Sequence, residues 1–396
     1  MNQQDAQGHV DGGAPGRRGT PPDARASHPH PHWHWRAVAG ALAIASGLAG
    51  CGPKPPIRVG FLGELSGRTA QFSEDARNGV MLGIEQRNQA GGVTGRRLEL
   101  VVQDHGTGVD QAPQALQALQ EAGVEVVIGP LSSDVAVQIV PQADASRLLL
   151  LSPVVTAVSL SGKDDHLVRL NRSTRDNARD LARHLHAQGS RRLALVTDMR
   201  NPAYYVAWRD DLRAAFTALG GTVVSDIGFG VGADLAFEDI VRAMLAGNPD
   251  GLVSICNSVD AALIAQRTAK QRPGLPMATL TASDALLELG GEAVEGMLVV
   301  QSHNRANTAP RYVAFQQAYL ARFGREPSYS AAASYDAVTV LVEALSRGSP
   351  SESIRDAVLR YQPYEGLQES IRFDEFGDSV RSAFFSTVRN GRFEPL

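Results

Sequence analysis

Beyond residue 56 the chain repeats one pattern: a short apolar run, a polar turn, then a longer stretch with apolar residues three or four apart. The first run, residues 57–62 (IRVGFL), is rich in branched side chains and is followed by Gly63. An unbroken apolar run of that length predicts a strand buried on both faces. Residues 73–90 set Ala76, Val80 and Ile84 four apart with charges between them, which is one face of a helix. Ser73 is a candidate N-cap and Gly91-Gly92 a candidate stop. The alternation predicts further strands over 98–102, 124–128, 148–151, 192–196, 222–225, 252–256, 277–280 and 294–300. Helices are predicted over about 111–122, 133–146, 177–188, 207–219, 235–246 and 261–271. Two longer ones, over about 309–323 and 331–346, precede a C-terminal hairpin region. Strands alternating with helices predict parallel sheets covered on both faces. The units are too many for one sheet, so two α/β lobes are expected.

Composition narrows the function classes. Of 396 residues 43% are hydrophobic and 20% charged, enough to bury a core. A formal net charge of −4 disfavours an electrostatic nucleic-acid binder. No apolar run reaches the ~20 residues that a membrane-spanning helix needs. With 2 Cys the chain builds neither a disulfide scaffold nor a four-thiolate zinc site. His184 and His186 are two apart on a predicted helix and face different ways, a poor metal pair. No G-x-S-x-G elbow, H-E-x-x-H pair or phosphate-cradling loop occurs, so neither catalysis, a metal nor a cofactor is expected.

The first 56 residues follow other rules. Residues 1–36 are rich in Gly and Pro and hold His9, His28, His30, His32 and His34; they read as a disordered leader. The His tract is a weak metal-binding pattern, set aside because the leader is expected to be removed. Arg36 introduces residues 37–50 (AVAGALAIASGLAG), an uncharged stretch that ends in Leu48-Ala49-Gly50 before Cys51. A basic flank, a short apolar core and small residues before a cut describe an export signal. The four residues 48–51 resemble the bacterial lipobox, which implies cleavage before Cys51 and lipid on its thiol. Residues 1–50 are thus expected to be leader and signal peptide. Residues 51–56, with Pro53, Pro55 and Pro56, form a stiff tether. The other reading of 37–50 is a buried helix or an uncleaved anchor. Cys256 lies in an apolar run and is expected to be a small buried strand residue.

Several turns share a further likeness. Gly63-Glu64-Leu65-Ser66-Gly67 follows the first strand, and Asn78-Gly79 sits in the first helix. Residues 88–97 read NQAGGVTGRR, and Asp104 follows the second strand. Ile128-Gly129-Pro130-Leu131-Ser132-Ser133 and Ser152-Pro153-Val154-Val155-Thr156 follow later strands. Glu295-Gly296, Tyr335-Asp336-Ala337 and Phe373-Asp374 with Gly377-Asp378 complete the set, in order. The chain resembles the type I periplasmic binding proteins of the branched-chain amino-acid (Leu/Ile/Val-binding) type, which serve ABC importers.

That resemblance implies an α/β fold of two Rossmann-like lobes with parallel sheets, joined by three crossings near residues 173, 298 and 365. Lobe 1 would span 57–172 plus about 299–364, and lobe 2 would span 173–298 plus about 365–396. Ligands of open α/β sheets bind beyond the carboxyl ends of the strands, where the turns at 63–67, 129–133 and 152–156 belong. The ligand residues implied in lobe 1 are Leu65, Ser133, Val155 and Thr156. Ser133 stands at a helix N-terminus, which favours an anion. The Ser133 and Thr156 hydroxyls, with N–H groups near Val155, suit a carboxylate. The plainer alternative is that both are caps and turn residues only. In lobe 2 the resemblance implies a ligand-facing Tyr204, with Tyr205 as alternative. It also implies an acid for a ligand ammonium, for which Asp284 is chosen over Asp260; helix capping is the other reading of Asp284. Two positions depart from the family. His105-Gly106 and Ser132 stand where a Cys pair is often found, and Glu64 stands where an apolar residue or Pro is common.

The expectation is therefore an exported solute-binding lipoprotein at the periplasmic or cell-envelope face. It would be lipid-anchored, monomeric, and a partner of ABC permease subunits, and it would carry a small amino acid or related amide. The alternative is a sensor or regulatory lipoprotein, such as an activator of a cell-wall enzyme, that uses the same fold without transport.

Overall fold

The computed structural model describes residues 54–67, 70–230, 236–280, 283–301, 303–381 and 384–396. The expected leader, signal peptide and Cys51 lie outside the described residues, as do Thr281 and Ala282. In the first sheet β1 (Ile57–Gly63) lies between β2 (Leu98–Asp104) and β3 (Val126–Ile128); β4 (Leu149–Ser152) and β5 (Leu167–Arg169) extend it. All five strands are parallel, with Ile57 opposite Leu98 and Val59 opposite Val126. Alternate residues enter opposite cores, as the pleat requires. Val59, Phe61, Val126 and Ile128 pack with Ala76, Val80 and Ile84 of α1 (Ala70–Gln89). Leu62, Val127 and Leu150 face Leu116 of α2 (Ala112–Glu121) and Ile139 of α3 (Ser133–Ala145).

The second sheet takes β6 (Arg192–Asp198), β7 (Thr222–Phe229), β8 (Gly251–Ile255), β9 (Met277–Thr279) and β10 (Leu298–Gln301). An antiparallel edge pair, β13 (Phe384–Arg389) and β14 (Arg392–Pro395), completes it, in the order β14-β13-β10-β9-β8-β6-β7. On one face lie Leu193, Leu195, Val253 and Ile255 with α4 (Thr174–Ala187) and α5 (Pro202–Ala218). On the other lie Ala194, Val196 and Leu252 with α6 (Phe237–Leu245) and α7 (Ser258–Gln271). Cys256 is fully buried in that second core. The helix α5 begins at Pro202, five residues before the periodicity declares it, because Pro is tolerated at the first helical position. Three short elements carried too little periodicity to be predicted: β5, α8 (Asp284–Gly290), and α11 (Ile354–Arg360) beyond α9 (Pro310–Phe323) and α10 (Tyr329–Arg347).

The chain passes between the sheets after β5, after β10 and before β13. Helix α10 returns Val338 and Leu341 to the first core, and Tyr364, Ile371 and Phe373 join it from a small hairpin, β11 (Tyr364–Glu365) with β12 (Ser370–Ile371). The third passage therefore begins after Phe373, later than the expected point near 365. Two partly buried ion pairs tie the passages down. Arg169 at the end of β5 meets Asp378 at 2.6 Å, and Arg381 meets Asp336 of α10 at 3.2 Å. Asp336 also accepts the Leu367 N–H at 2.8 Å, and Asp374 accepts the N–H groups of Phe376 and Asp378. Tyr335-Asp336 and Phe373–Asp378 are thus joints of the connection between the sheets.

Gly79 has a packing role. A Cβ built there lies 2.1 Å from the Ala331 carbonyl oxygen, so glycine lets α10 cross α1 closely. Gly79→Ala is expected to destabilise the protein by about 1–3 kcal/mol through overpacking, although Ala is the better helix former. Urea unfolding measures this; an unchanged midpoint and slope would contradict the close crossing.

Candidate functional site

In each sheet the chain turns opposite ways on either side of one strand, and the crevice beside that strand is where open α/β sheets bind ligands. In the first sheet this is the carboxyl end of β1 beside β3; in the second it is β6 beside β8. The turn after β3 is shaped by Gly129, whose φ of 128° and close approach leave no room for a side chain: a Cβ would lie 2.5 Å from the Leu62 carbonyl oxygen. The turn after β4 is locked to it by Ser152. Its fully buried hydroxyl donates to the Pro130 carbonyl at 2.8 Å and accepts the Val155 N–H at 3.2 Å. The Val155 N–H is therefore already engaged.

Ser133 is the first residue of α3 and is buried. Its N-cap, Ser132, has extended backbone and makes no side-chain cap bond, so it leaves first-turn N–H groups of α3 without a side-chain acceptor. Thr156 is 3% exposed, and its Oγ1 is buried with no hydrogen-bond partner among the described residues. Its carbonyl accepts the Thr174 N–H at 3.1 Å, which joins this turn to the start of α4. There the Thr174 Oγ1 and Asn177 Oδ1 are also buried and unpartnered among the described residues. Leu65 is half-buried and donates its N–H to Asp104 Oδ1 at 3.0 Å, and Gly106 donates to the same oxygen at 2.8 Å. Burial pushes the Asp104 carboxyl up, but those two N–H donors, together with the Ser66 hydroxyl and His105, hold it below the usual range. Beside it His105 is buried, with Nδ1 unpartnered among the described residues. Burial keeps its imidazole below the ordinary pKa, and Glu64 and Asp104 oppose that shift.

The decisive contact joins the two sheets' turns. Asp134, next to Ser133, accepts the Ala203 N–H at 2.9 Å through Oδ1. Ala203 is the second residue of α5 and packs against the core of the first sheet. Asn201, the N-cap of α5, makes no cap bond of its own, and its Oδ1 is buried without a partner among the described residues. A carboxylate from one lobe thus caps a helix of the other. Burial raises the Asp134 carboxyl, with the Ala203 N–H pulling the other way. This bond brings the neighbourhoods of Ser133 and Tyr204 together. Tyr204 and Tyr205 lean on each other with ring centroids 4.8 Å apart, and both pack against the second sheet's core. Burial pushes the Tyr204 phenol up to about 12, so it stays protonated.

The two acidic candidates in the second sheet fare differently. Asp284 opens the short helix α8, is 61% exposed, and is paired with Arg305, whose Nη2 donates to Oδ2 at 3.0 Å. Asp260, the less favoured choice in the sequence, is buried in the first turn of α7 beyond β8. It accepts from Asn257 Nδ2 at 2.7 Å and from Arg200. Sequence reasoning passed over Asp134 and Arg200, and named Ser152 only as part of its turn. The charged residue beside the Ser133 turn was the one available signal.

A family model described as periplasmic binding protein matches residues 56–392. The chain belongs to that family. Among curated relatives, the Leu/Ile/Val-binding protein BraC3 of Rhizobium johnstonii is 25% identical over 173 residues, covering 43% of this chain and 47% of that protein. A leucine-, isoleucine-, valine-, threonine- and alanine-binding protein of Pseudomonas aeruginosa is 29% identical over 112 residues, 28% of this chain and 30% of that protein. The chain thus spans less than half the length of these curated relatives. Among solved structures, an ABC transporter substrate-binding protein of Desulfitobacterium hafniense in complex with Leu is 25% identical, with TM-score 0.72, covering 86% of this chain and 100% of that one. A leucine-binding protein LivK of Thermotoga maritima is similar in fold, with TM-score 0.77 at 24% identity, covering 86% of this chain and 97% of that one. The α/β class with parallel sheets is the fold expected from the sequence.

Ser152→Ala removes both bonds that lock the two turns and leaves a buried carbonyl and N–H unpaired. A loss of about 1–3 kcal/mol is expected, read as a lower denaturation midpoint. A variant as stable as the parent would mean that the turns are held elsewhere.

Proposed function

We propose that this chain is an extracytoplasmic solute-binding lipoprotein that captures a small amino-acid-like ligand between two lobes and delivers it to an ABC importer. The observation that carries this reading is the buried Thr156 hydroxyl, unpartnered among the described residues, in the turns where α3 begins without a side-chain cap. Buried polar atoms are nearly always paired, and a ligand carboxylate supplies an acceptor for that hydroxyl and for the α3 N–H groups. Family membership and the names of the similar proteins support an amino acid as the ligand class. The protein's work is then capture and closure, with no bond made or broken. Lobe 1 is built on the first sheet and lobe 2 on the second, and the three passages are the hinge. The ligand favours the closed form because only there does it touch both lobes. The lipobox-like run before Cys51 supports an anchor at the cell envelope. More than one acyl chain is needed for stable anchoring.

Titration of the purified mature chain with branched-chain amino acids and small amides is expected to raise its melting temperature. A ligand at 100 times its Kd adds about 2.7 kcal/mol. Thr156→Ala and Tyr204→Ala should abolish the rise. If no amino acid or small amide produces one, the reading fails; if Thr156→Ala responds like the parent, the pocket lies elsewhere.

The Asp134–Ala203 bond exists only while the lobes touch, so it favours the closed form. Removing a cap costs about 1 kcal/mol, so Asp134→Ala is expected to weaken ligand binding about fivefold. Asp134→Asn keeps an acceptor oxygen and should bind as the parent does. Isothermal titration calorimetry distinguishes the two; equal affinities in all three proteins would remove the bond from the closing step.

A further inference from the structure

The turn after β6 carries a charged cluster that the carboxylate pocket does not use. Arg200 forks onto Asp198, with Nε to Oδ1 and Nη2 to Oδ2 each at 2.7 Å, and Nη2 also reaches Asp260. Its guanidinium lies over the Phe229 ring, 5.6 Å from the centroid. Gly230, at φ +90°, backs it so closely that a Cβ would stand 2.9 Å from Nε. The guanidinium is thus held on several sides rather than swinging in solvent. Exposure separates its members: the side chains of Asp198 and Asp260 are 4% and 5% exposed, and that of Arg200 is 30%. The group that a ligand meets is the guanidinium, and its Nη1 has no hydrogen-bond partner among the described residues. The cluster stands at the crevice between β6 and β8, and Arg200 is three residues before Ala203, which bonds to Asp134 beside Ser133.

An ammonium would have to displace Arg200 to reach either buried carboxylate, and Asp284 is already paired with Arg305. What the second lobe offers at contact is a fixed N–H donor. Two carboxylates and one guanidinium leave the cluster formally negative, so a neutral acceptor approaches it more easily than an anion. We propose that Arg200 is a specificity-determining residue that donates from Nη1 to an oxygen acceptor at the far end of the ligand. The solute is then an amino acid or related acid ending in an amide carbonyl or a carboxylate, with the amide preferred, rather than one ending in a hydrocarbon. This rests on the solute-binding reading above.

The test is calorimetry of the mature chain with glutamine, glutamate and leucine, repeated for Arg200→Lys, which keeps a positive charge but loses the fork. Glutamine is expected to bind the parent at least tenfold more tightly than leucine. Arg200→Lys should lower glutamine affinity about tenfold and leave any leucine binding within twofold. Glutamate binding more tightly than both supports the oxygen contact but overturns the preference for the amide. Leucine binding as tightly as, or more tightly than, both oxygen-bearing ligands overturns this inference and leaves the solute-binding reading intact. Failure of any amino acid or small amide to bind overturns both. If removing the fork from between two buried carboxylates unfolds the variant, leucine binding the parent as tightly as the oxygen-bearing ligands still overturns the inference.

Discussion

A carboxylate of one lobe completes the first turn of a helix in the other. The N-terminus of α5 has no acceptor from its own N-cap residue, and Asp134 of α3 supplies one to Ala203. Orphan N–H groups at a helix start demand a partner, and here the partner exists only when the turns of the two sheets meet. The positions of Ser133 and Tyr204 follow, because each adjoins one end of that bond. The cluster around Arg200 follows as well, since it lies in the turn that leads into α5.

The same logic of paired ends holds the connection between the lobes. Arg169 closes β5, and its partner Asp378 lies on the third passage; Arg381, farther along that passage, returns to Asp336 in α10. Gly377 passes so near Val168 that a Cβ would stand 2.9 Å from its Cγ2. Two of the three passages are therefore bound to each other and to the first lobe. Breaking either pair would leave a largely desolvated charge without its partner, so these two passages are tied to each other and to the first sheet.

Much of this was legible in the chain, for identifiable reasons. Strands such as β3 and β4 are buried on both faces and show as unbroken apolar runs, and α1 shows its spacing from Ala76 to Ile84. β5 is only Leu-Val-Arg, too short for any period to appear. The turns at Ser133 and Thr156 were found from their place after strands. What pairs with them was not, because Asp134 meets a residue 69 positions away and Arg200 meets one 60 positions away. A local pattern carries no record of such partners. Asp284 looked open because its answering charge, Arg305, sits in a different turn.

Magnitudes divide the work of closing between protein and ligand. A helix cap is worth about 1 kcal/mol, while moving a two-state equilibrium from 1:99 to 99:1 takes about 5.5 kcal/mol. The Asp134 cap biases the lobes toward contact but cannot hold them there. In the solute-binding reading proposed above the remainder comes from the ligand, and among the described residues the groups open to it are the buried Thr156 hydroxyl, the first turn of α3, which has no side-chain cap, and Arg200 Nη1. A site whose polar atoms were all paired within the protein would close without a ligand and carry nothing. On that reading the unpaired atoms are what makes closure depend on the solute.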